Sequence, residues 1–231
     1  MFETRQEFNE RKDEIVTYFK FLDDLNLRDA KIQIPQNLPR RPSVELSSTL
    51  KSGGVLMLYN LVESTVTDLI KLIHQKFTDE QLKYNELNKE IQLLWFSYYY
   101  KNIKEGNIKD DGVLLKMKMI HDTWSETEPI SFTFDEYTKY KTGSTFSGNL
   151  DAREIRNLLS KYGLSTETSA PELKAIKENR NKLAHGEISF SQCGRDLVPD
   201  YYNKLKDQTI LFLDTVMSEV EVYLNEQKFR R

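Results

Sequence analysis

Cysteine, histidine and glycine are scarce in this chain of 231 residues, and each scarcity removes a class of function. The single cysteine, Cys193, has no partner for an intramolecular disulfide and no histidine beside it in sequence, so neither a disulfide scaffold nor a cysteine nucleophile is expected. None of the three histidines, His74, His121 and His185, has another His, a Cys or a close carboxylate pair at metal-ligand spacing, which argues against zinc. Glycine-rich phosphate loops are missing as well. Lys51-Ser52-Gly53-Gly54 lacks the preceding strand and the following Lys-Ser/Thr that a nucleotide loop requires, and no Gly-x-Ser-x-Gly elbow occurs. Nor is there an excess of charge: 33 Lys and Arg against 36 Asp and Glu leave a net charge of −3, so nucleic acid would have to be met by a local basic patch. The most apolar run, from Gly53 to Ile73, is interrupted by Asn60, Glu63 and Asp68 and falls short of a membrane span. The first residues are too charged for a signal peptide. The expectation is a cytoplasmic protein without membrane, metal or cofactor.

What is present is helical periodicity. Apolar residues make up 39% of the chain and aromatics 11%, enough for a substantial core. Phe8, Ile15, Phe19, Leu22 and Leu25 predict a helix from about Glu3 to Asp29. A proline-bearing connection follows to about residue 42, and Ser43 is placed to cap a second helix from Val44 to Phe77, with a bend near Gly53-Gly54. Further helices are predicted over Glu86–Lys104, ending at Gly106, and over Asp111–Trp124. Ile130–Tyr140 alternates with a period of two and suggests a short hairpin or flap. Helix resumes after Asn149 or Asp151 and closes at Gly163. Ser169 and Glu172 have the spacing of a capping box for the next helix, and a final helix is expected from Tyr201 to Lys228 after a loop over Gly186–Asp200. The fold class is all-α: one domain over residues 1–231, a bundle of long antiparallel helices with a less regular insertion at about 107–149.

One helix breaks its own pattern. In Pro171–Phe190 the apolar stripe is Leu173, Ile176, Leu183 and Ala184, yet Arg180 stands in the middle of it and His185 precedes Gly186 at the helix end. A cation on an apolar face needs either a carboxylate partner or a seam through which phosphate enters. Glu63, on the stripe Tyr59, Glu63, Val66 and Ile70, is a candidate carboxylate partner, with a plain surface glutamate as the other reading. Asn181, four residues before His185, shares its stripe and can orient the imidazole. Lys174, Lys177 and Lys182 form a basic flank suited to RNA backbone or simply to solvent. The aromatics of Trp95–Tyr100 can stack bases but fit a core or a dimer contact better.

The run Arg180-Asn181-Lys182-Leu183-Ala184-His185 resembles the signature of the HEPN superfamily: Arg, a polar residue directly after it, and His after four intervening residues. Gly53–Ile70, Ser147–Leu164 and Arg180–Asp196 extend the likeness to the MAE-type branch, over roughly residues 40–228. The resemblance implies a helical homodimer that acts as a metal-independent endoribonuclease without cofactor. It would leave 2′,3′-cyclic phosphate and 5′-hydroxyl ends, with His185 moving a proton, Arg180 stabilising phosphoryl charge and Asn181 orienting the site. It further implies a role as a toxin or in defence against phage, with an antitoxin or nucleotidyltransferase-like partner. The other reading it allows is a non-catalytic module that binds RNA or a protein in a defence complex. Where one branch carries a Tyr two residues after the His that is adenylylated by the partner, this chain has Glu187, so that form of control is not expected.

Overall fold

The computed structural model describes residues 2–33, 38–105, 117–118, 121, 129–130, 132–139 and 149–231. Most of the expected helix over Asp111–Trp124 and of the 107–149 insertion lies outside them; Met117, Lys118 and His121 are helical. Among the described residues there are helices and two isolated bridges, Ile32 with Arg40 and Leu87 with Arg230, and no strand. No helix among them is long and apolar enough to cross a membrane.

Two long helices open the chain, α1 (Phe2–Asn26) and α2 (Val44–Asp79). The predicted stripe of α1 is the buried one, with Phe8, Ile15, Phe19 and Leu22 inside. Ser43 caps α2 as anticipated, its hydroxyl accepting the Leu46 N–H at 3.1 Å. A 3₁₀ turn (Tyr84–Glu86) leads to α3 (Lys89–Glu105), where Trp95 is buried against Tyr84. The later elements are α4 (Phe134–Lys139), α5 (Ala152–Ser160), α6 (Glu172–Ala184), α7 (Phe190–Arg195) and α8 (Pro199–Asn225).

Helix α2 is the axis of the fold, packed by α1, α4, α6, α7 and α8. It therefore buries more than one face: Tyr59, Leu61, Val62, Val66, Leu69, Ile70 and Ile73 are all inside. Gly53 and Gly54 sit in unbroken helix, and what they allow is close approach of α1. A Cβ at Gly54 would lie 3.1 Å from the Phe19 ring.

Three local expectations are corrected. The period-two stretch does not run through as strand: among the described residues Ile130 and Phe132 are buried outside regular structure, with the Ile130 N–H on the Leu82 carbonyl, and α4 then begins at Phe134. The stretch after Gly186 is not all loop, because Ser189 and Gln192 form a reciprocal capping box that starts α7. The box expected at Ser169 and Glu172 is not made, since Pro171 occupies the cap position and the Glu172 carboxylate turns to Lys204 at 2.8 Å.

His74, unremarkable in sequence, is fully buried and ties three segments together. Its Nδ1 is 2.6 Å from the Phe132 carbonyl and its Nε2 is 2.8 Å from the Tyr162 hydroxyl. The carbonyl can only accept, so Nδ1 carries the proton. Together with the edge contact between its ring and Phe132, this fixes the start of the α4 segment on α2.

Candidate functional site

Helix α6 enters the core and then leaves it. Leu173 and Ile176 are buried, Arg180 and Leu183 are half-buried, and Ala184 and His185 are exposed. The apolar stripe fades at the C-terminal end of the helix, so Arg180 meets a rim and not a sealed interior. Its guanidinium carbon stands 4.9 Å from the centre of the Tyr59 ring on α2. A cation over an aromatic face is attracted by the ring quadrupole, and a planar guanidinium is suited to that contact. Its Nη1 also donates to the Asn181 side-chain oxygen at 3.2 Å.

Among the described residues no ion pair joins Arg180 to Glu63. Glu63 is half-buried on α2 one turn beyond Tyr59 and acts on the same ring electrostatically, as Arg180 does. Burial chiefly raises the Tyr59 hydroxyl's pKa, and the charge of Glu63 pushes in the same direction while Arg180 opposes it. That hydroxyl accepts the Leu150 N–H at 3.4 Å. Tyr59 thus lies under Arg180 and beside the start of α5.

His185 is the C-cap residue of α6. Gly186, at φ +69°, donates its N–H to the Leu183 carbonyl, and the Glu187 N–H reaches the Lys182 carbonyl at 2.9 Å, which together make a Schellman closure. This fixes the main chain around His185 and leaves its side chain in solvent. Asn181 is connected to both neighbours: its main-chain carbonyl accepts the His185 N–H at 2.9 Å, while its amide oxygen faces Arg180 and not the imidazole. Along an ideal helix Arg180 and His185 are about 140° apart, so one chain does not set their side chains facing each other.

The chain after His185 is held by close backbone packing. A Cβ at Gly194 would sit 1.8 Å from the Ser48 carbonyl oxygen, so α7 lies against α2 at a distance that only glycine permits. The Ser52 hydroxyl donates to the Phe190 carbonyl at 2.6 Å. The sequence offered a signal for this docking in the Ser189-x-x-Gln192 spacing, which a reading of the segment as a loop passes over.

The lysines separate into two kinds. Lys177 is turned inward onto the carboxylate of Asp151, the residue whose side chain caps α5 by accepting the Glu154 N–H. Burial pushes the Asp151 carboxyl up, but the Lys177 hydrogen bond and charge, with main-chain N–H donors, outweigh it and hold the carboxyl below its ordinary value. Lys174 and Lys182 are exposed. Among the described residues no three His, Cys, Asp or Glu side chains gather so as to hold a metal ion.

Searches among curated proteins and among solved structures returned no match. The sequence does match the MAE_28990-like HEPN family over residues 3–229, nearly the whole chain. The chain belongs to the HEPN family, in its MAE_28990-like branch.

Proposed function

We propose that this HEPN chain is a metal-independent endoribonuclease in which Arg180 and His185 serve one phosphodiester. The observation that carries this reading is the emergence of α6 at the surface: a half-buried guanidinium held on an aromatic ring, and five residues later an exposed imidazole on a fixed main chain. In the reaction the RNA 2′-oxygen attacks the adjacent phosphorus as the P–O5′ bond breaks, giving a 2′,3′-cyclic phosphate and a 5′-hydroxyl. The 2′-hydroxyl must lose a proton and the 5′-oxygen must gain one, and His185 is the group placed for such transfer. Arg180 supplies fixed positive charge to the phosphoryl oxygens, and Asn181 orients Arg180 through its amide oxygen. Lys182, exposed on the same helix, adds positive charge beside the strand.

The angular separation of Arg180 and His185 supports a site completed by two copies of the chain, with their α6 ends meeting across a two-fold axis. Glu63 supports the site through Tyr59. A toxin or phage-defence role in the cytoplasm, with a restraining antitoxin or nucleotidyltransferase-like partner, accords with the family resemblance. Incubating labelled RNA with the protein in EDTA and analysing the termini tests the chemistry: cyclic phosphate and 5′-hydroxyl ends are expected, and 5′-phosphate ends would reject it. Specific activity should also fall as the protein is diluted below its dimer dissociation constant; an active monomer in the ultracentrifuge would reject the two-chain site. The second reading, a module that binds RNA without cutting it, draws on the direction of Asn181, whose amide serves Arg180 and leaves the imidazole without that partner.

A further inference from the structure

A cleft of about 410 Å³ opens between the starts of α5 and α6, at the opposite end of α6 from His185. Four cationic side chains line it, Arg153, Arg156, Lys174 and Lys177, against one carboxylate, Asp151. In a chain of net charge −3 this patch stays cationic by one charge once Glu154 and Glu178 at its rim are counted, a local balance that overall composition hides. The four cations are held differently. Lys177 is committed to Asp151, and Arg156 donates Nη1 to the Thr168 carbonyl at 2.8 Å, which fixes its guanidinium in the wall. Arg153 and Lys174 are 75% and 72% exposed, and they pair with Glu154 at 3.1 Å and Glu178 at 3.8 Å from the solvent side. Such exposed, solvent-screened pairs contribute little, so a phosphate can replace the carboxylates with little loss.

The cleft is aligned with the motif. At 100° per residue Lys174, Lys177, Asn181 and His185 fall within a sector of about 80°, with Lys174 about 16 Å along the axis from His185. We infer that this cleft is a second phosphate site for the RNA strand: it holds a backbone phosphate a few nucleotides from the one at Arg180 and His185, with the intervening strand laid along that face of α6. The position of the scissile phosphate rests on the ribonuclease reading; the phosphate site itself does not. Arg153 and Lys174 are the adaptable contacts and Arg156 the fixed one.

The test uses the full chain carrying His185→Ala, so that RNA is not consumed, and fluorescence anisotropy with labelled 2′-O-methyl oligoribonucleotides of increasing length, from a dinucleotide to an octanucleotide. Affinity should rise with length by roughly tenfold or more, and adding Arg153→Gln with Lys174→Gln should remove that gain while leaving the dinucleotide unaffected. The slope of log affinity against log salt should shrink by roughly one to two. Both side chains are exposed, and an unchanged thermal melt confirms that the fold survives; Lys174→Glu alone, a reversal of charge at one exposed position, is the second variant and should give the same pattern. An octanucleotide that binds the variants as well as the parent overturns the inference. So does inorganic phosphate binding in the cleft without any length dependence for RNA, which would make it a site for free anions. Cleavage by the wild-type chain reports separately: binding through Arg153 and Lys174 without cleavage keeps the phosphate site and rejects the ribonuclease, whereas cleavage with binding indifferent to both residues does the reverse.

Discussion

The Arg180 guanidinium rests on the Tyr59 ring, 4.9 Å from its centre, and this contact accounts for a cation in an apolar stripe. A leucine at that position would bury its side chain against the same ring, but arginine does so with its stem and ring-facing plane while keeping N–H donors at the surface. Tyr59 therefore positions Arg180. Tyr59→Phe keeps the ring and should leave cleavage near wild type, whereas Tyr59→Leu removes the quadrupole and should lower kcat more than KM is raised. The contact itself is worth about 0.5–2 kcal/mol. Equal activity of the Phe and Leu variants, at equal folded fraction, would remove Tyr59 from the site.

Two glycines near the motif are required for different reasons, and substitution should show it. Gly194→Ala forces a Cβ onto the Ser48 carbonyl oxygen, a backbone atom that no rotamer change can move, so a loss at the upper end of the roughly 1–3 kcal/mol typical of overpacking is expected. Gly186→Ala meets no atom within 4 Å but must adopt φ +69°, which costs about 1–2 kcal/mol and loosens the closure around His185. Thermal melts should thus fall for both. An undiminished melting temperature for Gly194→Ala would contradict the packing of α7 on α2.

The Asp151–Lys177 pair joins the start of α5 to the motif helix, and its contribution must depend on pH. The folded carboxyl titrates below its unfolded value of about 3.9, so the stabilisation is fully present above that value and is lost as pH falls through the lower folded one. Asp151→Asn keeps a capping side chain but no charge. Denaturant unfolding should show the variant less stable by roughly 1–3 kcal/mol at neutral pH, with the difference shrinking below about pH 4. A difference that stays constant down to pH 2 would mean that charge is not what the pair contributes.

Much of this architecture could be read from residue spacing. The buried face of α1 and the caps at Ser43, Asp151 and Gly163 follow from local chemistry that needs no knowledge of the rest of the chain. The family too was legible, because the stretches that carry the resemblance are continuous in sequence. Contacts between helices were not. Nothing in the sequence around Tyr59 announces that its ring supports Arg180, or that Lys177 turns from a basic flank to Asp151, 26 residues earlier. Short elements are hard to read where two patterns overlap: the spacing of Ile130 and Phe132 suggests alternation, but a helix begins two residues after Phe132, at Phe134. The Ser169–Glu172 spacing failed for a related reason, since a carboxylate with a lysine across the interface prefers that partner to the helix cap.

The central claim is that His185 transfers a proton in RNA cleavage, and the most direct measurement compares the wild-type chain with His185→Ala on one labelled RNA in EDTA. His185 is exposed and contributes to the fold through its main chain, so the variant should melt as the wild type does. Its cleavage rate should fall by roughly 10²–10⁴, the contribution of a general acid or base. A folded His185→Ala chain that cleaves at the wild-type rate would contradict the account.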